Sequence, residues 1–129
     1  LEAVAEADVV SLHCPLTAQT TGLVGRELLR ALKPGAIVVN TGRGALIDEG
    51  AVVAALVSGT LGGLCLDVLA SEPPAADHVL LDPRAPWAAR VVVTPHIAWG
   101  TVEARARLVA LVAANLAAFA AGRPLNRVA

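Results

Sequence analysis

Short β-branched runs alternate with helical periodicities along this chain. Asp8–His13 (DVVSLH), Ala36–Asn40 (AIVVN), Leu64–Val68 (LCLDV) and Val91–Thr94 (VVVT) predict four buried strands. Arg26–Leu32 predicts a short helix stopped by Pro34 and Gly35. A second helix is predicted from an N-cap at Asp48 to Ser58, with Gly59 as its stop. The opening LEAVAEA reads as the end of another helix. CPLTAQTTG reads as a polar loop, and the Pro- and Asp-containing loop before the fourth strand is longer than most connections in compact domains. Beyond it, Leu108, Leu111, Val112, Leu116 and Phe119 recur at helical spacing, between an N-cap at Thr101 and a stop at Gly122 before Pro124. Asn115 interrupts that stripe, to face another domain or to make a polar contact. Strands alternating with helices predict an α/β fold with a doubly wound parallel sheet. In such sheets ligands bind beyond the carboxyl ends of the strands.

Composition sharpens this picture. The chain has 129 residues, one domain's worth, yet it is 56% hydrophobic with a mean hydropathy of +0.66. That excess suits a parallel sheet covered on both faces, or a piece of a larger protein whose covering parts lie elsewhere. The absence of Met and the opening inside a helix favour the piece. A net charge of −1, no Lys/Arg run, and two Trp with one Phe argue against a nucleic-acid surface. The uncharged stretch from Gly50 to Leu66 is shorter than the roughly 20 apolar residues of a membrane span, and Ser58, Gly59, Thr60, Gly62 and Gly63 break it. Cys14 and Cys65 are isolated and read as reduced thiols of a cytoplasmic protein.

Three ionisable residues follow strands: Arg43 in NTGRG, Glu72 in DVLASEP and His96 in TPHIAW. Gly42 and Gly44 let the backbone turn tightly and leave Arg43 exposed, where a guanidinium can clamp a carboxylate. His96 can pass a proton, and a carboxylate beside it, Glu72, favours its charged form. Taken singly, each reads as an ordinary loop or structural residue; delivered to one sheet edge, they form a set. Asp67 closes a buried strand and needs a partner there, either a ligand amide or a backbone N–H. His13 reads as a strand-end residue near a ligand, and His78 as solvent-exposed. The His and Cys positions show no zinc-type spacing, and no G-x-S-x-G elbow is present.

The order and context of these motifs carry a resemblance. ADVVSLHCPLTAQTTGLV, LKPGAIVVNTGRGALIDEGAVVAAL, DVLASEPP and TPHIAW with EARARL resemble, in order and over nearly the whole chain, the motifs of the D-isomer-specific 2-hydroxyacid dehydrogenase family. Leu69 stands where Phe is common, and Trp99 is most like the glycerate dehydrogenase (hydroxypyruvate reductase) branch. The resemblance implies the C-terminal part of a Rossmann-type sheet followed by a long C-terminal helix. Residues 1–100 would be a partial NAD(P)-binding domain, 101–121 a helix returning toward an absent substrate domain, and 122–129 a tail.

It also implies roles. Arg43 would bind the carboxylate and carbonyl oxygen of a 2-keto acid, His96 would be the proton donor, and Glu72 would pair with His96. Asp67 would hold the carboxamide side of NAD or NADP. Pro15, Thr21, Thr41 and Gly42 would line the cofactor, Arg43 and His96 would border it, and Ala98 and Trp99 would lie near nicotinamide or substrate. The expected activity is reduction of a small 2-keto acid to a 2-hydroxy acid, with hydroxypyruvate/D-glycerate the favoured pair. A homodimer is implied by resemblance alone. The phosphate-binding Gly-rich loop belongs to an earlier unit, so these 129 residues are expected to have little activity alone. The alternatives are a phosphoglycerate dehydrogenase-like enzyme and a non-catalytic dinucleotide-sensing scaffold of the corepressor type. Glu72 disfavours a formate dehydrogenase, which carries Gln at that place.

Overall fold

A computed structural model describes residues 2–128. It divides into two compact units, Leu1–His96 and Ile97–Ala129. The first holds four parallel strands in chain order: β1 (Val9–Leu12), β2 (Ala36–Asn40), β3 (Leu61–Leu66) and β4 (Val91–Val93). Among the described residues the strand order does not reverse. Helix α1 (Glu2–Ala5) precedes the sheet, α2 (Arg26–Ala31) connects β1 to β2, and α3 (Glu49–Ser58) connects β2 to β3. Two single-turn 3₁₀ segments, Val79–Leu81 and Ala88–Arg90, lie in the long β3–β4 connection.

Register sorts the strand residues by face. Val10 pairs with Val38, which pairs with Leu64 and so with Val91. Leu12, Asn40, Leu66 and Val93 form the next row. With Leu28, Leu29, Leu32, Val52, Ala55 and Leu56 of the α2 and α3 segments, these rows build the core. The opposite face carries Val9, Ile37, Val39, Cys65 and Val92. Val9 and Val92 are more than half exposed there. Thus, among the described residues, one face of the sheet is covered and the other is not. The hydrophobic excess of the sequence lies partly on that open face.

Local chemistry sets the boundaries. Asp48 accepts from the Ala51 N–H at 3.0 Å and starts α3; Gly59, at φ 77°, ends it. Arg90 secures the same end, donating to the carbonyls of Leu56 and Leu61 at 2.5 and 2.9 Å. The third strand begins at Leu61 rather than Leu64, because Gly62 and Gly63 belong to the sheet. The β2–β3 register shifts at this point, leaving Gly62 as the extra residue. A Cβ on Gly62 would lie 2.1 Å from the Gly35 carbonyl oxygen, so the glycine serves close packing rather than a turn. The strand also ends earlier, at Leu66, leaving Asp67 and Val68 just beyond it.

In the second unit, Thr101 caps α4 (Val102–Ala120) by accepting from the Ala104 N–H. Gly122, at φ 70°, follows the end of the helix. Asn115 accepts a hydrogen bond from the Asn126 side chain at 2.9 Å, the polar contact that the sequence offered as one reading. Leu108, Leu111, Val112, Leu116 and Phe119 are all exposed. No described helix is long and apolar enough to cross a membrane.

Candidate active site

Parallel pairing brings the ends of β2, β3 and β4 to one edge, and the three segments beyond them carry Arg43, Glu72 and His96. All three line one cavity of about 210 Å³, with Leu16, Gly44, Ala45, Val68, Leu69 and Ala70 completing its wall. His96 Nδ1 lies 2.7 Å from Glu72 Oε2. Glu72 Oε1 accepts from the Leu69 N–H at 2.9 Å. The bond to His96, then the one to Leu69, holds the Glu72 carboxyl below the usual glutamate value of 4.5.

His96 adopts φ 55°, in the left-handed region that bulky residues rarely enter. Its N–H donates to the Thr94 carbonyl at 3.0 Å, and Pro95 lies between them. This tight turn sets the direction of the imidazole. Backbone strain of this kind, about 1–3 kcal/mol, persists where surrounding structure enforces it.

The Arg43 loop is built by a residue that sequence reading passed over. Asn40 is fully buried; its Nδ2 donates to the Arg43 carbonyl at 2.9 Å and its Oδ1 accepts from the Gly42 N–H at 3.0 Å. The Leu46 N–H also donates to the Arg43 carbonyl. The backbone around Arg43 is therefore fixed while its side chain stays exposed, with Nη1 on the Gly42 carbonyl at 2.8 Å. The polar residue ending an otherwise apolar strand, AIVVN, was the available signal. Neither Gly42 nor Gly44 has positive φ; the turn at Gly42 is closed instead by its N–H on Asn40 Oδ1. Gly44 serves packing instead: a Cβ there would lie 2.0 Å from the Leu69 carbonyl carbon.

Asp67, 4% exposed, accepts from the Thr94 hydroxyl at 2.5 Å, a partner supplied by the neighbouring strand end. It lines a second cavity, of about 390 Å³, together with Glu72, Pro73, Thr94 and His96. A third, of about 520 Å³, is lined by His13, Cys14, Pro15, Leu16, Gly42 and Arg43. Its loop is pinned beside Arg43 by a parallel bridge between Val24 and Ile47 and by the Gly22 N–H on the Ala45 carbonyl. The Thr21 hydroxyl donates to the Thr17 carbonyl at 2.8 Å, and Thr41 is exposed; neither lines these three cavities. Ala98 and Trp99 belong to the second unit, where Trp99 is 58% exposed. His78 departs from expectation: its side chain is only 12% exposed and meets Glu49. Leu80, two residues on, enters the core and draws that loop inward. No cluster of potential metal ligands occurs among the described residues, and Cys14 and Cys65 are free thiols.

Comparison with known proteins adds context. The model of the D-isomer specific 2-hydroxyacid dehydrogenase NAD-binding domain matches residues 1–98. A glycerate dehydrogenase of Methylorubrum extorquens is 44% identical over 95% of this chain and 38% of its own length. A hydroxypyruvate reductase of Blautia hydrogenotrophica is 40% identical over 98% of this chain, again 38% of its length. The solved structure of an NADPH-dependent glyoxylate/hydroxypyruvate reductase from Sinorhizobium meliloti, in complex with NADP and malonate, is similar with a TM-score of 0.79. It has 36% identity and covers 98% of this chain and 38% of that one. The chain thus spans well under half the length of these relatives.

Proposed function

Because this chain belongs to the D-isomer specific 2-hydroxyacid dehydrogenase family, through its NAD-binding domain, we propose that the whole protein reduces a small 2-keto acid to a 2-hydroxy acid. The carrying observation is the single cavity lined by Arg43, Glu72 and His96, with His96 and Glu72 in hydrogen-bond contact. The favoured pair is hydroxypyruvate and D-glycerate, from the names of the relatives and from Trp99.

The residues fit the nicotinamide end of the cofactor. Uncharged groups at Cys14, Pro15, Leu16 and Gly42 wall the cleft beside Arg43 and suit a flat ring. The buried Asp67 carboxylate, anchored by Thr94, offers acceptor chemistry for a carboxamide. Thr21 and Thr41, which lie outside these cavities, and Ala98 and Trp99 are proposed as cofactor contacts on family resemblance alone. When bound, reduced nicotinamide supplies the hydride.

The chain's own residues do the rest. Arg43 clamps the substrate carboxylate and faces its carbonyl oxygen, where negative charge develops. His96 gives that oxygen a proton. Its Nδ1 faces Glu72, so the transferable proton is carried on Nε2. Glu72 orients the ring and stabilises its charged form. In the reverse direction His96 takes the proton back. The assembly proposed for the whole protein is a homodimer.

The test is oxidation of NADH and NADPH by the full-length protein with a panel of 2-keto acids. Turnover, lowered by about 10²–10³ in Arg43→Ala, is expected from losing one charge-stabilising donor. Cofactor binding without turnover on any keto acid would favour a dinucleotide-sensing scaffold instead.

A further inference from the structure

The segment that carries Arg43 also grips the loop that carries Glu72. Glu49 opens α3, and its two carboxylate oxygens reach that loop at separate points. Oε1 accepts from the Ala70 N–H at 3.4 Å, and Oε2 lies 3.2 Å from His78 Nε2. His78 Nδ1 accepts from the Leu80 N–H at 3.3 Å, which places the ring hydrogen on Nε2, directed at Glu49. Both side chains are largely covered, at 25% and 12% exposure.

The consecutive amides of Leu69 and Ala70 are thus held by two glutamates, Leu69 by Glu72 and Ala70 by Glu49. Gly44 packs directly against the same peptide, leaving no room even for a methyl group. Glu72 touches both this peptide, through the Leu69 N–H, and His96.

We propose that Glu49 and His78 form a positioning pair that fixes the Leu69–Ala70 peptide and thereby sets the Glu72 carboxylate against His96. This rests on the reductase reading, since the pair serves the proton donor only if His96 is one. Neither residue reaches the cavity that holds Arg43, Glu72 and His96, so their effect is exerted through Glu72.

The test uses the full-length enzyme and a double-mutant cycle. Glu49→Ala is expected to lower kcat about tenfold through misplacement of the proton donor's partner, with the cofactor KM within about twofold of the parent's. The upper-pH limb of the reduction profile should move down. The milder Glu49→Gln, which keeps an acceptor oxygen, should recover part of both effects. In a Glu72→Gln background, Glu49→Ala should cause no further change in the profile. An unmoved profile in both Glu49 variants, or an equal shift with and without Glu72, overturns the proposal. If the parent shows no turnover, the reductase reading fails by itself. NMR titration of the Glu72 carboxyl then decides the pairing, since loosening the Leu69–Ala70 peptide weakens the bonds that hold it down: its midpoint should rise toward 4.5 in Glu49→Ala, and an unchanged midpoint overturns it.

Discussion

Glu72 is engaged at both carboxylate oxygens, by His96 and by the Leu69 amide, and its carboxyl titrates below 4.5 as a result. The linkage has a definite sign. A depressed carboxylate contributes stability that is present above its unfolded value, near 4.5, and lost as pH falls through its lower folded value. The Leu69 amide resonance is therefore expected to titrate with a midpoint below 4.5, and to lose that titration in Glu72→Gln. In the same variant the imidazolium loses its neighbouring charge. Reduction, which draws its proton from that ring, should then show a lower kcat than in the parent. Asn40 gives a second prediction. Asn40→Ala strands the Gly42 N–H, at about 1–3 kcal/mol, and removes one of two bonds to the Arg43 carbonyl, which keeps the Leu46 N–H, at about 0.5–1.5 kcal/mol. Calorimetry should show the lost stability, and the substrate KM should rise as the Arg43 loop loosens. Arg43, Glu72 and His96 were legible in the sequence because each follows an apolar run within a few residues. Asn40, Thr94 and the Glu49–His78 contact were not. Their partners are backbone groups or side chains that only the folded sheet edge brings near.

At the scale of elements, two glycines separate two physical roles. Gly59 sits at φ 77° with open space around its Cα, whereas Gly62 abuts the Gly35 carbonyl. Gly59→Ala should cost about 1–2 kcal/mol, the penalty of left-handed backbone. Gly62→Ala must push two strands apart and should cost at least the roughly 3 kcal/mol upper end of ordinary overpacking. Denaturant melts of both variants check the order; equal losses would count against the packing role of Gly62. The same contrast explains what periodicity revealed. β2 was legible to the residue because its five residues are apolar or strand-ending and are bounded by Gly35 and Thr41. The caps at Asp48 and Thr101 and the stop at Gly59 were legible from local chemistry. The start of β3 was not, because a glycine pair signals a turn unless the opposing backbone is known.

At the scale of the molecule, apolar surface remains open on the Val9–Ile37–Val92 sheet face and along α4. Contiguous apolar patches promote association. The 129-residue chain by itself should therefore bind a hydrophobic dye and self-associate with rising concentration. Sedimentation velocity showing only monomer over a wide concentration range would refute this. Fold class was legible from alternating strands and helices, but the coverage of each face was not, because inward and outward strand positions are both apolar here.

The chain-ordered sheet has a kinetic consequence as well. Val9 meets Ile37, Ile37 meets Gly63, and Leu64 meets Val91, so among the described strands every pairing closes a loop of roughly 27 residues and none waits on a longer one. Each of β2, β3 and β4, emerging from the ribosome, finds its neighbour in chain order already made and needs only the latest stretch of chain to dock. The sheet can grow at one edge, one strand at a time. Its assembly then resembles the stepwise lengthening of a repeat protein more than the long-range searches that slow other parallel sheets.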